Sequence, residues 1–144
     1  MTTGALLSPA FSGIDPTGTG QTGGRPDRIG DGNFDSGSMR DLLKARKPIL
    51  DLAAFVAPAA NRGFYGNSAR YVLVGPGQAI WNTGMHKNWK FGETKQMQFR
   101  WEAFNAFNRI NFNNPTTNII GGSFGLVTSA QSGRSMLFGL RLEL

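Results

Sequence analysis

Apolar and polar residues alternate one by one in three stretches of the second half of the chain. The clearest is SMLFGLRLEL, residues 135–144. Met136, Phe138, Leu140, Leu142 and Leu144 take every second position, with Leu137, Gly139, Arg141 and Glu143 between them. A period of two marks a strand with one apolar and one polar face. KQMQFRWEAF repeats it: Met97, Phe99, Trp101 and Ala103 share one face, Gln96, Gln98, Arg100 and Glu102 the other. WNTGMHKNWKF alternates less cleanly, with Trp81, Thr83, Met85 and Trp89 on one side and Lys87 intruding there. FGET is short enough for a tight hairpin between these two segments. The pattern predicts strands over about 79–91, 95–107 and 134–144, with a long loop, 108–133, in which SFGLVTS adds a short strand.

The first half has no such period. Residues 1–38 are mostly Gly, Thr, Ser, Pro and Asp, with little to bury, and read as a flexible segment. SMRDLLKARKP predicts one short helix: Ser38 with Asp41 resembles a capping box, Leu42 and Leu43 anchor it, and Pro48 stops it. The rest, to about residue 78, is broken by Pro58, Gly63, Gly66, Gly75, Pro76 and Gly77 and reads as a structured loop.

The expected fold class is therefore all-β. Strands of 10 to 12 residues with opposite faces fit two architectures. In a transmembrane barrel the apolar face meets lipid and the polar face the lumen, and a strand of about 9–11 residues crosses the bilayer at a tilt. In a soluble sandwich the apolar face turns to a core. The apolar last strand favours the barrel, whose closing strand has an edge that must meet the first. On that reading short turns are periplasmic, and the long loops lie outside. Arg100, Glu102, Arg141 and Glu143 then face the lumen, where they pair between strands or hold a plug; solvated strand polarity is the competing reading. Phe99, Trp101, Phe138, Leu140 and Leu142 face lipid. Trp81 and Trp89, eight residues or roughly 26 Å apart, match the two aromatic girdles.

Composition narrows the function classes. The chain has 144 residues and no cysteine, so it has no disulfide, thiolate metal site or thiol nucleophile. The net charge of +6 is scattered, densest at Lys44, Arg46 and Lys47, and predicts a basic surface, not a nucleic-acid site. Charged residues are 17%, below the roughly 25% of soluble domains. The opening MTTGALLSPAFSG lacks the basic and long apolar regions of an export signal.

Several short motifs together carry a family likeness. FGLRLEL resembles the carboxyl-terminal signal of outer-membrane barrels, with Gly139, Leu142 and Leu144 at the signal positions. The usual last residue there is aromatic. HKNWKFGETKQMQFRWEAFNAFNRINFNNP resembles the final hairpin of TonB-dependent receptors of the Oar-like kind: Lys87-Asn88-Trp89, then Gln98 to Asn108, then Asn111, Phe112, Asn114 and Pro115. His86 stands where Phe is usual. RPDRIGDGN, AAFVAPA, YGNSAR and GPG are similar to the last large external loop of these receptors. The resemblance implies a many-stranded barrel with an amino-terminal plug, in the outer membrane of a Gram-negative-type bacterium, taking up a large substrate. Its implied partners are outer-membrane lipid, the barrel-assembly machinery, the rest of the parent barrel and plug, and TonB through them. Three strands cannot close a barrel, so the chain is expected to be the carboxyl-terminal part of such a receptor, with Met1 an internal or mis-called start, and not to transport alone. The alternative is a small stand-alone β-rich protein that self-associates through strand edges in a structural or adhesive role.

Other motifs lead elsewhere. GTGQTG fits G-x-G-x-x-G at Gly18, Gly20 and Gly23 but lacks the flanking strand and helix of a dinucleotide site. Asp31, Asn33 and Asp35 have an oxygen-rich alternate spacing that calcium can use, yet no Glu stands at the twelfth position; turn formation is the plainer role. RGFYG opens like an RNA-recognition signature and then departs from it. His86, the sole histidine, has no second ligand or triad partner in the pattern. No catalytic constellation, metal centre or cofactor is expected, and no enzyme.

Overall fold

The computed structural model describes residues 3–143. Its elements are β1 (Leu6–Leu7), β2 (Asp27–Arg28), α1 (Ser36–Lys44), a 3-10 turn at Leu52–Ala54, β3 (Phe55–Val56), β4 (Leu73–Val74), β5 (Thr83–Lys90), β6 (Gln96–Phe104) and β7 (Ser135–Glu143). The fold is all-β with one short helix among the described residues. No helix is long and apolar enough to cross a membrane. The chain forms two compact units. A loop unit comprises Thr3–Gly77 and Phe112–Ala130; a sheet unit comprises Gln78–Asn111 and residues 131–143.

The loop unit is built with almost no regular structure. Strand β1 pairs antiparallel with β4, and β2 with β3, each over two residues. Its core is Ile49, Leu50, Ala54, Phe55, Leu73 and Phe124, with Met39, Leu42 and Leu43 of α1 packed against it. The Phe55 and Phe124 rings meet at 5.8 Å between centroids, tilted by 60°. Helix α1 starts one turn earlier than the Ser38–Asp41 pair suggested. Asp35 is its cap, extended at φ −62° and ψ 160°, and accepts the Ser38 N–H and hydroxyl at 2.9 and 2.8 Å. These bonds, the Ser38 N–H foremost, hold the Asp35 carboxyl below its ordinary pKa. The helix closes with Arg46 at φ +55°, where the N–H of Lys47 reaches Leu42 and that of Arg46 reaches Leu43. This is a Schellman ending with arginine where glycine is usual.

Residues 3–35, whose composition suggests flexibility, receive specific partners. Phe11 is buried and exchanges both backbone bonds with Gly24, at 3.1 and 3.2 Å. Asp15 accepts the N–H groups of Thr17, Gly18 and Gly20 at 2.9, 2.8 and 2.6 Å. Gly18 and Gly20, the first glycines of GTGQTG, thus wrap a carboxylate of their own chain. Partial desolvation works to raise the Asp15 pKa, but the Gly20 N–H, Thr17 hydroxyl and other N–H groups outweigh it and lower the value. The expected SFGLVTS strand does not form. Ser123 and Leu126 close a turn instead, and Gly125 sits at φ +74° with the Leu50 backbone so near that a Cβ would lie 2.9 Å from its nitrogen. That turn delivers Phe124 to the core.

The sheet unit is a three-stranded antiparallel sheet in the order β5-β6-β7. Its strands are eight, nine and nine residues long; β5 and β6 are shorter at both ends than the pattern suggested, and β7 begins one residue later. The turn from β5 to β6 is closed by the Phe91 N–H bonding the Lys95 carbonyl at 2.8 Å, with Gly92 at φ +98°. The long connection between β6 and β7 leaves the sheet unit at residue 111 and returns at 131.

Candidate functional site

Residues directly opposite in an antiparallel pair project to the same face, so the register assigns every side chain. One face carries Thr83, Met85, Lys87 and Trp89 of β5, Met97, Phe99, Trp101 and Ala103 of β6, and Met136, Phe138, Leu140 and Leu142 of β7. Cross-strand rows are Met85–Trp101–Phe138 and Lys87–Phe99–Leu140. Lys87 is the one charge on this face, opposite Phe99. Phe138 and Leu140 remain 65% and 63% exposed. A soluble protein rarely leaves so continuous an apolar surface open.

The other face carries Gly84, His86, Asn88 and Lys90, then Gln96, Gln98, Arg100 and Glu102, then Leu137, Gly139, Arg141 and Glu143. Arg100, Glu102, Arg141 and Glu143 therefore share one face, opposite Phe99, Trp101, Leu140 and Leu142. Their ion pairs run along the strands: Arg100 bonds Glu102, and Arg141 bonds Glu143 at 2.6 Å. Side chains two apart on a strand are same-face neighbours, which makes this pairing local. Gln96 links β6 to β7 by donating to Glu143. Glycines stand beside the central pair, Gly139 across from Arg100 and Gly84 across from Glu102. Asn88, Gln96, Gln98, Arg141 and Glu143 line a shallow polar hollow at the turn end. His86 stands across from Arg100.

Trp89 lies near the turn end of β5, and Trp81 precedes the strand by two residues, with its carbonyl accepting the Ala106 N–H at 2.8 Å. Sequence reasoning missed the asparagines that build this second end. Asn105, buried and at φ +51°, accepts the Arg109 N–H at 3.0 Å and donates to the Arg109 carbonyl at 2.9 Å, closing a loop with Phe107 near its tip. Asn82 accepts the Asn105 N–H at 3.1 Å. Asn111, also buried, accepts the Ala79 N–H at 2.7 Å and donates to the Arg109 carbonyl at 3.1 Å. The visible signal was the spacing N-x-x-N-x-x-N in FNAFNRIN, asparagine being the residue that tolerates left-handed backbone and bonds it locally.

In the loop unit, the three calcium candidates are engaged by the chain itself, and Asn33 donates to Asp31 at 3.2 Å. Asp31 pairs with Arg28 at 2.9 Å, Asn33 bonds the Val72 carbonyl and Val74 N–H at 2.8 Å each, and Asp35 caps α1. Asp27 pairs with Arg62, whose guanidinium lies 4.1 Å from the Phe64 ring centroid. The Arg62 bond holds the Asp27 carboxyl below its ordinary pKa against partial desolvation. No group of three acidic or histidine side chains that could hold a metal ion occurs among the described residues. Of the carboxyl-terminal positions, Gly139 and Leu142 lie in β7, on opposite faces; Leu144 lies outside the described residues.

An amphipathic antiparallel sheet of eight- and nine-residue strands is barrel-wall geometry. The family model described as "Outer membrane beta barrel domain" matches residues 1–137. No curated protein and no solved structure matches the chain significantly. A match over nearly the whole sequence, on a sheet of this construction, makes the chain a member of the outer membrane beta barrel domain family, and so a protein of the outer membrane of Gram-negative-type bacteria.

Proposed function

We propose that the chain is the carboxyl-terminal part of a TonB-dependent receptor of the Oar-like kind, one that takes up a large substrate with relayed energy. The observation that carries this is the sheet unit: three long strands with one apolar and one charged face. About eight strands are the fewest that close a barrel, so the wall is completed by strands outside this sheet. On this reading the apolar face, from Trp89 to Leu142, meets lipid, and Arg100, Glu102, Arg141 and Glu143 line the lumen toward a plug. The loop unit is external and presents surface for ligand capture. The order of motifs from RPDRIGDGN to FNAFN supports the receptor kind. The role is transport, not catalysis, and involves no cofactor and no nucleic acid. Its partners are membrane lipid, the assembly machinery, the remaining barrel and plug, and TonB.

Cross-linking in energised cells tests this. An antibody to the loop unit should detect a receptor-sized outer-membrane species that forms an adduct with TonB. A species the size of the 144-residue chain, with no adduct, would contradict it. The open edges of β5 and β7 in this sheet favour a second reading in that event, self-association of copies through strand pairing.

A further inference from the structure

The two ends of the sheet differ in charge. The turn end mixes signs, with Lys90, Glu93, Lys95 and Glu143. The other end is built from residues 78–83, 104–111 and 131–136, which contain two arginines and no Asp or Glu. There the Trp81 and Phe107 rings meet edge to face, with centroids 5.9 Å apart, yet they are 60% and 74% exposed. Ile110 is 68% exposed. Arg109 lines an open apolar hollow with Trp81, Phe107 and Ala79. The Asn105 side chain bonds both the N–H and the carbonyl of Arg109, which closes the loop that carries Phe107. Asn108 accepts the Arg134 N–H at 3.0 Å, which ties the second arginine's segment beside the first.

Exposed aromatics on backbone anchored by buried asparagines are not a folding core. Rings of this kind settle where hydrocarbon meets headgroups. Two arginines on adjoining segments, with no carboxylate near them in sequence, select a phosphate there, since a guanidinium holds two phosphate oxygens at once. We propose that Trp81, Phe107, Ile110, Arg109 and Arg134 form a docking site for a phosphorylated membrane lipid, with the rings entering the acyl boundary and the arginines meeting the headgroup phosphate. The inference rests on the barrel reading and deepens it by naming the lipid chemistry at one rim. Charge complementarity selects a phosphorylated lipid over a neutral one.

The test is titration of the detergent-extracted protein with lipid A, a diphosphorylated glycolipid, read by native mass spectrometry. Phosphatidylcholine and inorganic phosphate serve as probes of the two alternatives. The Arg109→Gln/Arg134→Gln variant should bind lipid A about tenfold more weakly and phosphatidylcholine unchanged. Trp81→Ala/Phe107→Ala should weaken both, and millimolar inorganic phosphate should not compete. Equal lipid A affinity in wild type and the double-arginine variant, or displacement by inorganic phosphate, overturns the site. The same preparation carries a cysteine at Leu140 as a control. Its protection from a water-soluble maleimide, with no phosphate preference, removes the lipid site alone; free reaction removes the barrel reading as well.

Discussion

Asn111 shows how one polar side chain can hold a strand end. It is buried, and its amide serves the Ala79 N–H and the Arg109 carbonyl while its own carbonyl accepts the Gln131 N–H. Asn111→Ala strands the Ala79 N–H, while the Arg109 carbonyl keeps Asn105 as its donor, and an unmet buried group costs about 1–3 kcal/mol. We expect a loss of about 2 kcal/mol in urea unfolding and faster amide exchange at Ala79. Arg46 is the opposite case, an exposed residue in the left-handed region at a helix end. Arg46→Gly removes that strain and should slow exchange in α1, a gain of about 1 kcal/mol. Asp15, Asp27 and Asp35 all have depressed pKa values in the folded state. Their stabilisation is fully present above the unfolded value, about pH 4, and is lost as pH falls through the folded values. The loop unit should therefore loosen on acidification below about pH 4. Asp27→Asn should flatten that dependence in a fluorescence titration; an unchanged acid midpoint would contradict the role given to the Arg62 pair.

At the scale of elements, the sheet was legible and the loop unit was not. A period of two persists wherever one face of a strand is apolar, so the face of every residue from Met97 to Ala103 and from Met136 to Leu142 could be read directly. The strand ends could not, because Trp81 and Phe107 continue the apolar character past the last ladder bonds. In the loop unit the strands are two residues long and carry no period. Its core joins Ile49, Leu73 and Phe124, residues far apart in sequence with no shared pattern. The helix was visible through Leu42 and Leu43, but its cap was misplaced because Ser38 is the group that donates to Asp35, not the cap. Local ion pairing at Arg100–Glu102 and Arg141–Glu143 follows from spacing alone, although the pattern also allowed pairing between strands. Lys87 is the element's informative exception. A lysine on a lipid-facing strand costs about 2–4 kcal/mol near the bilayer midplane. Lys87→Leu should therefore stabilise the membrane-inserted protein by about 2 kcal/mol in urea titration from vesicles, and a destabilised variant would argue that this face meets water or protein.

At the scale of the molecule, family membership and sheet geometry converge on a wall between lipid and a polar interior. The absence of cysteine makes that wall directly readable, since each introduced thiol reports without background from this chain. The decisive measurement is single-cysteine labelling in intact outer membranes, one residue at a time along β6 and β7, with a membrane-impermeant maleimide and with a lipid-soluble one. The account predicts strict alternation. Cysteines at Phe99, Trp101, Phe138 and Leu140 react with the lipid-soluble reagent and resist the aqueous one, while those at Gln98, Arg100 and Arg141 do the reverse. Equal aqueous labelling of both sets would contradict it, because a sheet wet on both faces is not part of a membrane barrel.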